Sequence, residues 1–443
     1  MRKKRIMSLL GTVAMLSLTF TACQQNKLPE GKAIYQPEEF AGQDWWSEDN
    51  DYSYRRMGCT DNFAIFWQKG FGDNLANPPE LEGKDMRVDL ENLKERLEWF
   101  YRCFRDTLQF VKPGSESEKY RMMVMIMYSL EGTAYGGTYD DKIGAFWAAP
   151  NRLQDKKLNA AAHELGHSFQ LQIIADKQGE AWGGSGFYEM TSQWMLWHVN
   201  PAWMTDENYH WQAFKKAMHK AFLHVENIYR APYVLEYWGV KHGLPFIAEM
   251  YRQGKKGEDP VITYKRMTGM SQDAFNDEML DIYLHLVNLD YDRVYAETRQ
   301  WANGYEPFRN KMDEKGGWWQ VKKEVCPENY GFNIIGLKVP KPGAKVSVAF
   351  QGLPNAKGYD LQHPEKAGWR YGLVGITADG KSLISEEIGT SSKGEIHFEA
   401  PSEPLSYLWL VVMGAPTEHW MNGTTETDAQ WPYKVKITGS DLL

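Results

Sequence analysis

Cysteine is scarce in this chain of 443 residues, four in all. With Cys23 assigned below to a signal segment, Cys59, Cys103 and Cys326 remain, an odd number that allows at most one disulfide and leaves a thiol free. None stands at metal-ligand spacing from another, so a cysteine-framed zinc site is excluded and stability has to come from a hydrophobic core. Basic excess is missing too. The net charge of −8 argues against a nucleic-acid surface, and no nucleic-acid partner is expected. Past the N-terminus no apolar run is long enough to span a bilayer. Repeats and low-complexity tracts are absent, and nothing fixes an oligomeric state. Roughly 400 mature residues imply two to three domains.

Histidine is sparse as well, with 11 residues, which makes one cluster informative. In His163-Glu164-Leu165-Gly166-His167 the two histidines stand at i and i+4, one above the other on a helix, so both can turn a ring nitrogen to one metal ion. Glu164 sits beside them, placed to take a proton from the water such a metal activates. Leu158, Ala161, Ala162, Leu165 and Phe169 recur at helical spacing around the motif, which puts it on a helix with a strong apolar component. The alternative is a core helix with two hydrogen-bonded histidines and a surface glutamate.

A third ligand is available downstream. Gly183 and Gly184 mark a turn, Ser185 is a plausible N-cap, and Phe187, Met190, Trp194 and Trp197 form a helical stripe that carries Glu189. Two histidines and a carboxylate leave a fourth zinc position for water, the catalytic rather than the structural pattern. No histidine follows at Ile174-Ala175-Asp176, which excludes the metzincin arrangement. The bland reading of Glu189 is a solvated helix carboxylate.

From His163 to Gln170, followed by Glu189, the chain resembles the gluzincin metallopeptidases, the zincin class whose third ligand is a glutamate on the next helix. The Glu-Leu-Gly-His run with Gln170 after it is also similar to bacterial enhancin-like, mucin-directed peptidases and to secreted zincin-like bacterial families. The resemblance covers about residues 90 to 250. It implies a zincin-like α+β catalytic domain, Zn2+ held by His163, His167 and Glu189, Glu164 as general base, and a protein or glycoprotein substrate. In thermolysin-type members an Asp four positions after the ligand glutamate supports the first histidine. Gln193 stands there instead, so the chain departs from the thermolysin pattern at this position. A peptidase of this class also needs a donor for the oxyanion, normally a Tyr or His from the following half. Tyr229 and Tyr233, just before an apolar helix, are favoured, with Tyr237, His210, His219, His224 and His242 left open.

The N-terminus points to export. Arg2-Lys3-Lys4-Arg5 is a positive n-region, and Ile6 to Phe20 is an apolar stretch too short to span a bilayer comfortably. Thr21-Ala22-Cys23 then resembles a bacterial lipoprotein signal, with cleavage before Cys23 and a lipid on its sulfur, although Phe20 departs from the usual Leu. The expectation is a bacterial envelope protein anchored to the outer membrane through Cys23, facing either the periplasm or the outside. An ordinary secretory signal is the alternative.

Along the chain, 1–22 reads as signal, 23–45 as a flexible polar tether broken by Pro29, Gly31 and Pro37, 46–325 as the catalytic domain and 326–443 as an all-β sandwich. Phe63 to Trp67 and Arg121 to Tyr128 read as strands, and Val88 to Phe110 as an amphipathic helix. After a glycine-rich loop (Gly132, Gly136, Gly137), residues 144–149 read as a strand. By analogy with zincins it is the edge strand that pairs with substrate, a plain sheet strand being the alternative. Past Cys326, short alternating runs such as Lys345 to Phe350 and a near-continuous one from Tyr407 to Val412 suit a sandwich core. Trp369, Trp420 and Trp431 are candidates for an exposed glycan-binding face, against the commoner fate of tryptophan in a core. The reading is a lipid-anchored zinc metallopeptidase; the alternative is an inactive zincin-fold surface protein that binds glycans or glycoproteins.

Overall fold

The computed structural model describes residues 27–421 and 428–443; the signal segment and Cys23 lie outside them. The first region is built on a five-stranded sheet. Its strands are β1 (Met57–Cys59), β2 (Phe63–Trp67), β3 (Met122–Ile126), β4 (Ala134–Tyr139) and β5 (Ile143–Ala148), in the order β1-β2-β3-β5-β4. β2, β3 and β5 run parallel, and β1 and β4 pair antiparallel at the two edges. Both faces of the central strands are covered, which is why Phe63–Trp67 and Met122–Ile126 are apolar throughout rather than alternating. Helix α1 (Leu90–Arg102) starts where the Asp89 side chain accepts from the Asn92 amide, and it buries Leu93, Leu97 and Phe100.

Residues 144–149 therefore are not the edge strand: β5 is flanked on both sides, and the free edge belongs to β4 in the stretch read as a glycine-rich loop. Asp140 and Asp141, both at positive φ, turn β4 back onto β5. The expected tether differs too. Ala33 exchanges main-chain hydrogen bonds with Lys119 and Arg121, and Ile34, Tyr35, Phe40 and Trp45 pack on the core. These apolar side chains dock the segment despite its proline and glycine signals.

The two helices that matter for the site, α2 (Asn159–Ala175) and α3 (Gly184–Val199), follow the sheet. α3 begins at Gly184, one residue before the expected Ser185 cap, and the Ser185 side chain lies outside what is described. Further helices, α4 (Trp203–Asp206), α5 (Tyr209–Ala217), α6 (Tyr233–His242), α7 (Phe246–Gln253), α8 (Pro260–Thr268), α9 (Gln272–Leu286) and α10 (Tyr295–Thr298), complete the region. No helix among the described residues is long and apolar enough to cross a membrane. Cys59, Cys103 and Cys326 are all free thiols, so the one disulfide the count allowed is not formed among them.

The second region is all antiparallel. β6 (Met312–Lys315), β7 (Trp318–Val321), β9 (Lys345–Gly352), β12 (Lys393–Glu399) and β14 (Tyr433–Thr438) form one sheet, ordered β12-β9-β14-β7-β6. β8 (Phe332–Leu337), β10 (Trp369–Thr377), β11 (Ser382–Ile384) and β13 (Leu405–Gly414) form the other, ordered β11-β10-β13-β8. The region thus begins at Met312, not at 326: β7 pairs with β14 more than a hundred residues away, a partnership no local pattern announces. The sheets share one core, with Phe350 stacked on Tyr371 at 4.0 Å and on Tyr433 at 5.6 Å. Helix α9 packs on the other face of β10 and β13, and the buried Arg370 pairs with Asp273 and Asp277. Trp369 and Trp431 are fully buried in this core and Trp420 is half-buried beside His363, so the three do not form an exposed glycan face.

Candidate metal centre

α2 and α3 lie closer than ordinary side chains permit, and glycine is the reason. A Cβ on Gly166 would stand 2.3 Å from the Ser192 Oγ, so the central glycine of the motif lets α3 settle directly on α2. Ser192 then donates its hydroxyl to the His163 carbonyl, a bond that ties the helices at the level of the motif. On the other side of α2, a Cβ on Gly136 of β4 would fall 1.9 Å from the Glu164 carbonyl oxygen. Only glycine lets the edge strand lie flush on the motif-bearing turn.

Three donor atoms converge in that frame. His163 Nε2 and His167 Nε2 approach to 3.1 Å, and Glu189 Oε2 stands 3.0 Å from the first and 3.2 Å from the second. Ligand atoms around a tetrahedral zinc with bonds of about 2.0–2.1 Å lie roughly 3.3 Å apart, so the triangle matches a small divalent cation after slight relaxation. The tautomers agree. Gln193 Oε1 lies 2.9 Å from His163 Nδ1, and its Nε2 donates to the Tyr229 carbonyl at 3.0 Å. Gln170 Oε1 lies 3.2 Å from His167 Nδ1, and its Nε2 donates to the Tyr188 carbonyl at 3.1 Å. Each amide is fixed at both ends, so both Nδ1 atoms carry the proton and both Nε2 lone pairs face the common point. Two lone pairs and a carboxylate oxygen at such distances repel unless a cation lies between them.

The electrostatics point the same way. The His163 and His167 side chains are each 12% exposed. Burial disfavours a charged imidazole at His163, yet Glu189 and Glu164 together prevail and leave its pKa raised. For Glu189, burial pushes the carboxyl up, but the two imidazoles more than offset it and hold it well below the carboxylate range. The pocket is built for positive charge. Glu164 lies beside the two histidines, with a ligating atom of each of His163, Glu164 and His167 within 4.8 Å of those of the other two. This His-Glu-His geometry is compatible with a divalent metal site.

The group opens into a cleft of about 520 Å³. Tyr229 is on its wall, its ring 5.9 Å from that of His163 and 41% exposed. Burial and then the Glu189 charge raise its phenol well above the usual value, so it remains a proton donor. Tyr233 is not at the site: it is buried among Trp197, Trp211 and Phe214, because Ala231-Pro232 separates it from Tyr229 at the start of α6. Of the other candidates only His210 lines the cleft, 3.5 Å from Glu207. Tyr237 is bonded to Asp281 and His242 to Tyr264, while His219 and His224 sit away from the cleft.

Gln193 occupies the supporting position with an amide in place of a carboxylate. The sequence identified the position, but not that the amide oxygen does the work. Gln170 was visible only as part of the resemblance. Nothing in the sequence marked β4 or Arg152, which lines the same cleft.

Residues 26–443 match the model described as "Family of unknown function (DUF6055)", and the chain belongs to that family. No curated protein matches it.

Proposed function

We propose that the chain is a zinc-dependent peptidase of gluzincin type, exported and held to a bacterial outer membrane by a lipid on Cys23, that hydrolyses proteins or glycoproteins. The observation that carries the catalytic reading is the convergence of His163 Nε2, His167 Nε2 and Glu189 Oε2 on one point with Glu164 beside it. Zinc bound there would bring the pKa of a water down to about 7 and polarise a carbonyl oxygen. His163, His167 and Glu189 would hold it, each imidazole kept in register by its glutamine. The Glu164 carboxylate takes a proton from the attacking water and delivers it to the leaving amine nitrogen. The Tyr229 hydroxyl donates to the oxygen on which negative charge develops.

The free edge of β4 supports a peptide substrate. Ala149 donates to the Thr133 carbonyl, so the odd-numbered residues of β4 turn their main-chain groups towards β5. Those of Ala134, Gly136 and Thr138 point outwards, along a cleft that Ala134 and Gly136 line. An extended peptide can add there as a further strand. The second region we read as an appended β-sandwich. The lipid-anchor reading rests on Arg2 to Cys23.

The test is elemental analysis of purified residues 24–443 beside His163→Ala and Glu189→Ala, with a mass-spectrometric digest of a broad peptide pool. One zinc per chain, lost in both variants, with cleavage by the parent, is the expected result. A parent that takes up no zinc on reconstitution, or that holds zinc and cleaves nothing, would refute the peptidase reading.

A further inference from the structure

Arg152 is the only lysine or arginine among the described residues that line the cleft, and its guanidinium is half used. Its Nε donates to the Gly132 carbonyl at 2.7 Å, which fixes the plane of the group. No ion pair engages it among the described residues, and the side chain is exposed. The other charged wall groups outside the motif are committed: Glu189 to the two histidines, and Glu207 to Asn159 at 3.0 Å, Trp203 at 3.0 Å and His210. What remains is a planar cation, anchored at one nitrogen and presenting its two terminal nitrogens, the geometry that receives a carboxylate through two parallel hydrogen bonds.

Its place along β4 gives the direction. Gly136 lies against the Glu164 turn and so marks where chemistry occurs, while Gly132, which tethers Arg152, lies two residues before the start of β4 and so beyond its Ala134 end. A peptide added antiparallel to β4, the more stable pairing, runs from Thr138 towards Ala134. Its C-terminal half then reaches Arg152.

We propose that Arg152 selects a carboxylate on the C-terminal side of the scissile bond, which makes acidic peptides, or peptides that end a few residues past the cut, the preferred substrate class. The inference rests on the peptidase reading and on the free edge of β4. The carboxylate has two sources, an Asp or Glu side chain and the chain terminus, and the experiment separates them.

Zinc-loaded Glu164→Gln protein, which keeps the peptide whole, is titrated by fluorescence anisotropy with labelled decapeptides. One set carries Glu, Gln or Lys at successive positions of either half, and a second set has free or amidated C-termini. An acid in the C-terminal half, or a free terminus, is expected to bind about tenfold more tightly than its neutral counterpart, the worth of one charge-assisted pair at a wet rim. Arg152→Gln in the same background should bring the ratio to about one, and Arg152→Glu should invert it in favour of Lys. The position at which the preference peaks identifies a side-chain source, and a preference confined to free termini identifies the chain end. Parity in the Arg152 protein, a preference that survives Arg152→Gln, or a preference only in the N-terminal half would each overturn the proposal. Hydrolysis of the same peptides by the parent chain is read separately: an acid preference in binding without cleavage would sink the peptidase reading and leave the carboxylate site standing.

Discussion

The interiors of the two regions are made of different material. Along α2 and α3, Ser168, Gln170, Gln172, Ser192 and Gln193 are all buried, and each side chain is hydrogen-bonded, Ser168 and Gln172 to β5 and the turn before it and the other three within the helix pair and its surroundings. Between the C-terminal sheets the corresponding positions are Val346, Val348, Phe350, Leu373, Leu410 and Val412. A buried amide or hydroxyl that is paired adds only a modest net stability, and well-packed apolar groups of the same shape can match or exceed it, so a helix pair that carries several is not the most stable one available. It is the one that orients two imidazoles. The contrast separates a region whose core sets geometry from one whose core supplies cohesion, and each prediction below bears on that separation.

The largest effect is expected at Glu164, which carries no part of either core. Glu164→Gln should lower hydrolysis by about 10³-fold, the scale of a lost general base, with zinc content and melting temperature unchanged. Loss of less than tenfold would remove Glu164 from the proton path. Next come the two cores. Leu410→Ala should cost about 3 kcal/mol in denaturant unfolding, from transfer and cavity terms, and leave the zinc affinity of the folded protein untouched. Gly166→Ala should cost about 2 kcal/mol through overpacking against Ser192, and here chelator competition should show weaker zinc as well, because α3 carries Glu189. Equal loss of zinc affinity in both variants would erase the distinction.

How much of this could be read from the chain depends on the range of the contacts involved. His163 and His167 are legible because their relation is local, four residues on one helix, and Glu189 because a glycine turn and a helical stripe frame it. The Gln193 amide was visible only as a departure, since its partner His163 sits on another helix. β4 was illegible because Gly136 and Gly137 interrupt any apolar alternation. The reason for Gly136, the Glu164 carbonyl, appears only once strand and helix are packed. Tyr229 and Tyr233 look alike in sequence, and a turn at Pro232 sends one to the cleft and the other to the core. β6 and β7 were assigned to the wrong region for the same cause, a partner strand at Tyr433–Thr438.

The polar core can be probed without touching a ligand. Gln193→Leu keeps the volume but leaves His163 Nδ1 and the Tyr229 carbonyl without their partner. Zinc should bind about 30-fold more weakly, within the usual range for a lost outer-shell partner, and stability should fall by about 1–3 kcal/mol, the cost of the donor and acceptor left unpaired. Gln193→Glu, whose carboxylate can still accept from Nδ1, should recover most of that affinity. Chelator competition and thermal unfolding on the same samples decide it. Zinc binding that is unchanged in Gln193→Leu would mean the polar interior orients nothing.

Where the two regions meet, the expected effect is on stability alone. Glu328 precedes β8, its amide donates to the His219 carbonyl at 2.7 Å, and its Oε2 accepts from the Ala221 amide at 3.2 Å, so a buried carboxyl of the second region leans on the first. Burial, then the nearby Asp428, raises its pKa from 4.5 to about 7, with the Ala221 amide and then Lys220 acting the other way. Because the folded value lies above the unfolded one, the native state holds the proton longer. The penalty for ionising it is absent below about pH 4.5, grows as pH rises towards 7, and is complete above that. Glu328→Gln keeps the acceptor for Ala221 and removes the charge, so it should nearly match the parent at pH 4.5 and exceed it by about 3 kcal/mol at pH 8. Zinc affinity should not change at either pH, since this polar group joins regions and does not orient a ligand. A stability difference that is the same at both pH values would show that the carboxyl is ionised throughout, and that the seam, unlike the helix pair, tolerates buried charge.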